Sequence, residues 1–171
     1  MDFLQLAKSR HSVRQFSGER IPREKLNRIL EAGRFSPSAR NSQPWCFYCA
    51  ESSSAIEDTA KAIMMTGRNA FTEKCGAIIA ITEEPISTEL QTGRRFAEYD
   101  IGMAVMQMCL EAESLGIGSC ILGLYSEEGV KCALDIPEDR KVALLIALGV
   151  SAEISVREKI RKPETETVIF R

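Results

Sequence analysis

The sequence has little of what several functions require. Its 171 residues include one histidine, His11, so there is little material for a histidine-based zinc site or a Ser-His or Cys-His pair. No apolar run approaches the ~20 residues of a membrane span, and the N-terminal stretch MDFLQLAKSR lacks the apolar core of a signal peptide. The net charge of -2 provides no attraction to nucleic acid or an anionic membrane. We therefore predict a cytoplasmic globular protein with a small-molecule partner, without a metal, nucleic-acid or membrane site.

Six cysteines are present, but their spacing predicts neither a disulfide framework nor a zinc ribbon. The stretch NSQPWCFYC places Cys46 and Cys49 in a Cys-x-x-Cys arrangement. A working dithiol of the thioredoxin type needs its first thiolate at a helix N-terminus. Here the aromatic residues predict a strand, on which the two side chains face opposite sides. We therefore predict reduced thiols that serve as small structural residues.

Hydrophobic periodicity predicts helices that alternate with strands. The pair Gly116-x-Gly118 is not a dinucleotide-binding loop, because position 121 is Ile121 and the order is helix before strand. The segment 101–110 is apolar almost all round, which predicts burial inside the molecule or between subunits. The pattern favours one domain over 1–171, either α+β or mixed α/β, with a polar tail from about residue 151. Predicted helices are 2–8, 22–35, 52–65, 94–115 and 126–134, and predicted strands are 45–50, 76–82, 119–124, 142–150 and 167–170.

A basic motif, RHSVR, follows the first predicted helix. Arg10 and Arg14 flank Ser12, and guanidinium groups form charge-assisted bonds with phosphate to which a hydroxyl can add a neutral donor. A solvated basic turn is the alternative. A second basic pair, Arg161 and Lys162, lies in the tail, and the two clusters could close on one phosphate if the fold brings them together.

A polar loop, SPSARNSQPW over 36–45, holds hydroxyl and amide side chains between Pro37 and Pro44. Prolines restrict the backbone, so these side chains suit donors fixed in a loop. The alternative is a polar connection that caps the next strand.

Together these stretches resemble the nitroreductase family of FMN-dependent oxidoreductases. The family opens with an Arg-x-Ser-x-Arg motif and later carries a Pro-Ser-x-x-Asn-x-Gln-Pro-Trp motif. Two positions depart from the common pattern: His11 replaces a second arginine, and Ala39 stands where many members have a second serine. The matching residues are Arg10, Ser12 and Arg14 for the first motif and Pro37, Ser38, Asn41, Gln43, Pro44 and Trp45 for the second.

The resemblance implies an α+β fold with a mostly antiparallel central sheet flanked by helices. It further implies an intertwined homodimer in which the tail, about 151–171, extends onto the partner subunit. FMN would be held tightly at the interface. Its phosphate and ribityl chain would contact Arg10, Ser12, Arg161 and Lys162. Its ring would lie near Arg14 and near the backbone of Leu122 and Gly123, and Pro37, Ser38 and Asn41 of the partner's loop would line it. His11, Ala39 and Gln43, which belong to the same two motifs, are further expected cofactor-binding residues.

The function implied by the resemblance is an NAD(P)H-dependent FMN oxidoreductase with ping-pong kinetics. Hydride would pass from NADH or NADPH through flavin N5 to a nitroaromatic or quinone acceptor. The flavin carries the chemistry, so no catalytic side chain is required, in agreement with the scarcity of histidine. Flavin-dependent dehalogenation, flavin fragmentation, non-catalytic FMN binding or storage, and a flavin-free interaction domain remain open alternatives.

Overall fold

The structure is a computed structural model that describes residues 2–85, 95–155 and 158–171. Five α-helices and four strands alternate along this part of the chain, joined by short 3-10 turns at Ala39–Asn41, Ala70–Lys74 and Glu164–Glu166. The elements in chain order are α1 (Phe3–Ser9), α2 (Arg23–Arg34), β1 (Trp45–Ala50), α3 (Ser53–Met64), β2 (Ala77–Glu83), α4 (Ala97–Ser114), β3 (Gly118–Leu122), α5 (Glu127–Ala133) and β4 (Lys141–Gly149).

The four strands form one antiparallel sheet in the order β1-β2-β4-β3. β2 lies between β1 and β4 and is buried along nearly its whole length, as its continuous apolar run predicts. The sheet and the flanking helices confirm the predicted α+β fold.

Both faces of the sheet are covered by helices. The side chains of Ile78 and Ala80 face a core built with α3 and α5, whereas Ile79 and Ile81 face a core built with α2 and α4. This alternation follows from the period of two along a strand. Serines begin two of the helices: Ser52 Oγ accepts from the Ala55 N–H and Ser126 Oγ from the Gly129 N–H, both at 3.2 Å.

Two predictions need correction, and a third lies partly outside the described residues. β3 ends at Leu122 instead of residue 124, because Gly123 has no side chain to pack and the chain then turns toward the cap of α5. The strand predicted at 167–170 is wrong: Val168, Ile169 and Phe170 are exposed and pair with no described strand of this chain. The predicted start of the long helix at Arg94 lies outside the described residues, within which α4 begins at Ala97.

α4 is buried along one side rather than all round. Ile101, Val105 and Met108 are buried against the sheet, whereas Met103 and Met106 are exposed. The interpretation of this helix as a subunit contact therefore applies to its outer side and stays a prediction. Within the described ranges, no helix combines the length and apolar character needed to cross a membrane.

Candidate functional site

The basic motif runs beside the first residues of β3. Its chain leaves α1 at Arg10, and the backbone N–H of Val13 donates to the Ser119 carbonyl at 3.0 Å. Gly118 makes this approach possible, because a Cβ there would lie 2.6 Å from Val13 Cγ2. The strand edge therefore fixes the backbone that presents Arg10, Ser12 and Arg14.

The chain returns to the same place after β4. The Ser17 N–H donates to the Val150 carbonyl at 2.9 Å, and the Ala152 N–H donates to the Gln15 carbonyl at 2.8 Å. The next side chain, Glu153, accepts from the Arg14 N–H at 2.7 Å. These bonds join the basic motif to the start of the tail.

A cleft of about 560 Å³ lies between the two segments, and we call it the basic cleft. A neighbouring hollow of about 710 Å³ shares His11, Lys159 and Arg161 with it. Two basic segments far apart in sequence thus meet, as predicted for Arg161, whereas Lys162 does not line the cleft. The residues that line the basic cleft are Arg10, His11, Ser12, Arg14, Gln15, Glu153, Ile154, Ser155, Glu158, Lys159 and Arg161.

Lys159 is a further cation of this cleft, and neither sequence motif predicted it. Its Nζ donates to the Ala7 carbonyl at 3.1 Å and to the Lys8 carbonyl. Burial, together with the nearby Arg10 and Arg161, lowers the pKa of Lys159. The spacing Lys159-x-Arg161 was the available signal, because alternate residues of an extended segment lie on the same side. Lys159, Arg10 and Arg161 therefore place three cationic side chains close together at this part of the cleft.

The polar loop lies against α4. The carboxylate of Asp100 is buried and accepts from the Ala39 N–H at 3.1 Å. Arg40, Asn41 and Gln43 all have left-handed backbone conformations. Ser38 Oγ accepts from the Gln43 N–H at 2.9 Å, which closes the loop on itself. Internal bonds and a buried carboxylate therefore hold a backbone that is unfavourable for side-chain-bearing residues.

The loop is not part of the basic cleft of the same chain. Pro37, Ser38, Ala39, Asn41 and Gln43 are absent from its lining. The loop is fixed at Asp100. Arg10 instead lies near Cys109, where burial raises the pKa of the thiol and the charge of Arg10 opposes that shift in smaller part. These two positions of α4 are nine residues apart, or about 14 Å at ~1.5 Å per residue. One chain therefore presents the two predicted motifs at separate places.

Leu122 and Gly123, which were predicted to lie near the flavin ring, are at the far end of β3 from the basic motif. Leu122 is buried, whereas Gly123 is exposed, and a Cβ built on it would meet no atom within 4 Å. From Ser119, beside the basic motif, to Leu122, the last residue of β3, the strand covers about 10 Å at ~3.4 Å per residue, and Gly123 follows it. Leu122 and Gly123 therefore stand apart from the basic cleft along the same strand.

The cysteines of the Trp-Cys-x-x-Cys stretch do not form a dithiol site. Cys49 lies on the side of β1 that faces α2 and α4, and the period of two places Cys46 on the other side. Both are free thiols, and burial raises the pKa of Cys49 to about 11. The prediction of opposite-facing, unbridged cysteines is confirmed.

Comparison with known proteins gives one consistent result. A profile of the nitroreductase family matches residues 7–150. A protein of Methanothermobacter thermautotrophicus, provisionally assigned as an NADH dehydrogenase/NAD(P)H nitroreductase, is 28% identical over 90% of this chain and 79% of its own length. A nitroreductase family protein from Clostridium novyi NT has a solved structure with a TM-score of 0.80 and 28% identity, covering 90% of this chain and 87% of that one. A provisionally assigned nitroreductase from Desulfovibrio desulfuricans, solved in complex with FMN, gives a TM-score of 0.82 at 24% identity over 98% and 95% of the two chains.

Proposed function

The chain belongs to the nitroreductase family, a family of oxidoreductases, and from this premise we propose that it binds FMN and passes hydride from NAD(P)H to a small electron acceptor. Nitroaromatics and quinones are the acceptor types that we propose. The turnover is ping-pong, because donor and acceptor use the same face of one cofactor in succession.

The basic cleft is the observation that carries this proposal. The side chains of Arg10 and Arg161 share it with Lys159, whose pKa is lowered by burial and by these two cationic neighbours. A phosphate with nearly two negative charges would relieve that repulsion through charge-assisted hydrogen bonds. Ser12 adds a hydroxyl to the same lining. These residues fit the phosphate end of FMN.

The rest of the cofactor would follow β3 away from the cleft. A Cβ built on the exposed Gly123 would meet no atom within 4 Å, and this open space leaves room for a flat ring. Arg14 would stabilise the negative charge that the reduced ring acquires. In this proposal no side chain acts as nucleophile or acid.

The polar loop would complete the site from a second copy of the chain. Pro37, Ser38, Ala39, Asn41 and Gln43 lie outside the basic cleft of their own chain, although they form a rigid set of donors and acceptors. The exposed apolar side of α4 and the exposed tail from about 151 provide surface for such a contact. We therefore propose a homodimer with two sites, each built from both chains.

When bound, FMN would supply the redox chemistry of the site, which is two-electron transfer as hydride from NAD(P)H and onward to the acceptor, with the acceptor's protons coming from solvent. The protein would hold the phosphate with the cations of the basic cleft, orient the ring against β3 and limit its access to water with the loop of the partner.

Steady-state kinetics test the proposed reaction. Initial rates with varied NADH or NADPH at several fixed concentrations of a quinone should give parallel double-reciprocal lines, as ping-pong turnover requires. A panel of nitroarenes, quinones and iodinated phenols separates the reductase from a dehalogenase. Intersecting lines would reject the ping-pong order, and release of halide without quinone reduction would favour the dehalogenase.

A further inference from the structure

The single histidine of the chain faces two hydrogen-bond acceptors. His11 Nδ1 lies 3.2 Å from the Ser9 carbonyl oxygen, and Nε2 lies 3.2 Å from Glu153 Oε2. A carbonyl and a carboxylate both lack a proton to donate, so each ring nitrogen must be the donor. Only the protonated imidazolium carries a hydrogen on both nitrogens. The geometry therefore matches the charged form of His11.

Glu153 places a negative charge in the cleft that we propose to bind an anion. Its side chain is 17% exposed and that of His11 is 21% exposed, so solvent screens the pair only in part. Glu153 Oε1 also accepts from the Arg14 N–H at 2.7 Å, within the predicted phosphate-binding motif. A bare carboxylate here would repel a phosphate, whereas an imidazolium beside it cancels that charge.

Charged groups surround the pair from each neighbouring segment. α1 contributes Lys8, α4 contributes Glu113, and the tail contributes Glu158 together with two cations. Among the described residues, the charged groups that line this region with His11 are Lys8, Arg10, Arg14, Glu113, Glu153, Glu158, Lys159 and Arg161. Near neutral pH the five cations and three carboxylates keep their charges, whereas histidine is the side chain whose charge ordinarily changes.

We propose that His11 and Glu153 form a proton-dependent switch on phosphate-anion affinity: protonated His11 neutralises Glu153 and the cleft binds the phosphate of FMN tightly, whereas loss of the proton exposes the carboxylate and weakens binding. Glu153 acts as a positioning residue through Arg14 and His11. The inference deepens the proposed function and rests on it for the identity of the ligand, although inorganic phosphate probes the same cleft without that assumption.

Two isosteric variants give opposite expectations. In Glu153→Gln the amide oxygen still accepts from the Arg14 N–H, and the amide nitrogen can donate to neutral His11, so the charge disappears while the hydrogen bonds survive. In His11→Gln the carboxylate remains without a cationic partner at every pH. E153Q should bind FMN tightly at both pH 6 and pH 8, and H11Q should bind it weakly at both.

The measurement is the Kd of FMN, by quenching of flavin fluorescence, for wild type, E153Q, H11Q and the matched control Glu158→Gln at pH 6 and pH 8. The FMN phosphate itself titrates, and this changes the Kd of every variant with pH in the same way. Dividing each Kd by that of E153Q at the same pH cancels this shared contribution. For wild type this ratio should rise about fivefold from pH 6 to pH 8, the lower end of ordinary coupling between sites. For H11Q it should be high at both values, and E158Q should keep the wild-type rise.

A second readout uses the fact that one histidine is present. In untagged protein, NMR can follow the pH at which the His11 ring loses its proton. That pH should rise when inorganic phosphate is added, because the anion favours the protonated form. E153Q should lose most of this response, which a merely structural role for Glu153 would not produce.

The outcomes distinguish failure of the His11–Glu153 switch from failure of the proposed FMN-dependent function. Tight FMN binding with the same Kd ratio at both pH values would overturn the switch and leave the proposed function intact. A phosphate-dependent His11 signal in a protein that does not bind FMN would support the switch and reject the proposed function. An E153Q protein that binds FMN equally poorly at both pH values would assign Glu153 a structural role and overturn the inference.

Discussion

The carboxylate of Asp100 accepts a hydrogen bond from the backbone N–H of Ala39 at 3.1 Å, across 61 residues of sequence. One buried side chain of α4 thereby fixes a loop in which Arg40, Asn41 and Gln43 all adopt left-handed backbone conformations. The side chains that the proposal assigns to the partner's flavin thus owe their placement to a helix at the centre of the chain's own core.

Removal of this carboxylate should destabilise the protein. In Asp100→Ala the Ala39 N–H loses a charged acceptor, which costs about 1.5–3 kcal/mol of the free energy of unfolding. Urea denaturation followed by circular dichroism measures it. The exposed carboxylate of Asp58, paired with Lys61 on the surface of α3, provides the control, and D58A should change stability by less than about 1 kcal/mol. Equal losses in the two variants would show that Asp100 does not anchor the loop.

Neighbouring basic residues of the tail should differ in their effect on FMN binding. Arg161 lines the basic cleft and Lys162 does not. Loss of a charge-assisted contact of about 1.5–3 kcal/mol raises Kd roughly 10- to 100-fold, so we expect that for Arg161→Ala. Lys162→Ala should change Kd less than about threefold, by long-range attraction alone. Isothermal titration with FMN measures both, and a larger effect of K162A would place the phosphate elsewhere.

Thiol reactivity should follow burial. Burial raises the pKa of Cys49 to about 11 and that of Cys75 to about 12, so at pH 8 less than about 1% of either is the reactive thiolate. Cys46 and Cys132 are exposed. Iodoacetamide at pH 8, followed by peptide mass spectrometry, should label these two first. Rapid labelling of Cys49, or a Cys46–Cys49 disulfide in protein purified without reductant, would instead support the hypothesis of a redox-active dithiol.

A charge on the outer side of α4 should disrupt the proposed dimer. Met103 is exposed there, and burial of a glutamate in an apolar contact is strongly unfavourable. Met103→Glu should therefore yield a folded monomer by light scattering, with weakened FMN binding because the partner's loop is absent. Met65, exposed beyond the end of α3, supplies the control variant M65E, which should stay dimeric. A dimeric M103E that still binds FMN would place the subunit contact elsewhere.

Local sequence patterns predicted most of the fold. The apolar run of β2, the apolar spacing of α2 and the serine caps of α3 and α5 all depend on neighbours within a few residues, so they can be recognised in the sequence. The strand predicted at 167–170 failed because alternation signals a side that can be buried without saying which surface buries it. The extent of the domain and the dimer contact of the tail stay predictions for the same reason.

The site was predicted less completely, because its contacts are long-range. The two motifs identified Arg10, Ser12 and Arg14, and the tail's charge pointed to Arg161. Glu153 was missed because its partner His11 is 142 residues away. Asp100 was not predicted, because the sequence around it does not indicate that its carboxylate accepts a hydrogen bond from a loop 61 residues away. The flavin contacts assigned by resemblance to Leu122, Gly123 and the polar loop stay predictions.

The most direct test of the account is the visible spectrum of the purified protein after incubation with FMN and removal of free flavin, recorded anaerobically before and after addition of NADH or NADPH. We predict about one bound flavin per chain, loss of its absorbance on addition of at least one of the nucleotides, and recovery of the colour when a quinone or nitroarene follows. Bound flavin that neither nucleotide bleaches would contradict the proposed reductase and favour a binding or storage role. A protein that retains no flavin at all would contradict the basic cleft as a cofactor site.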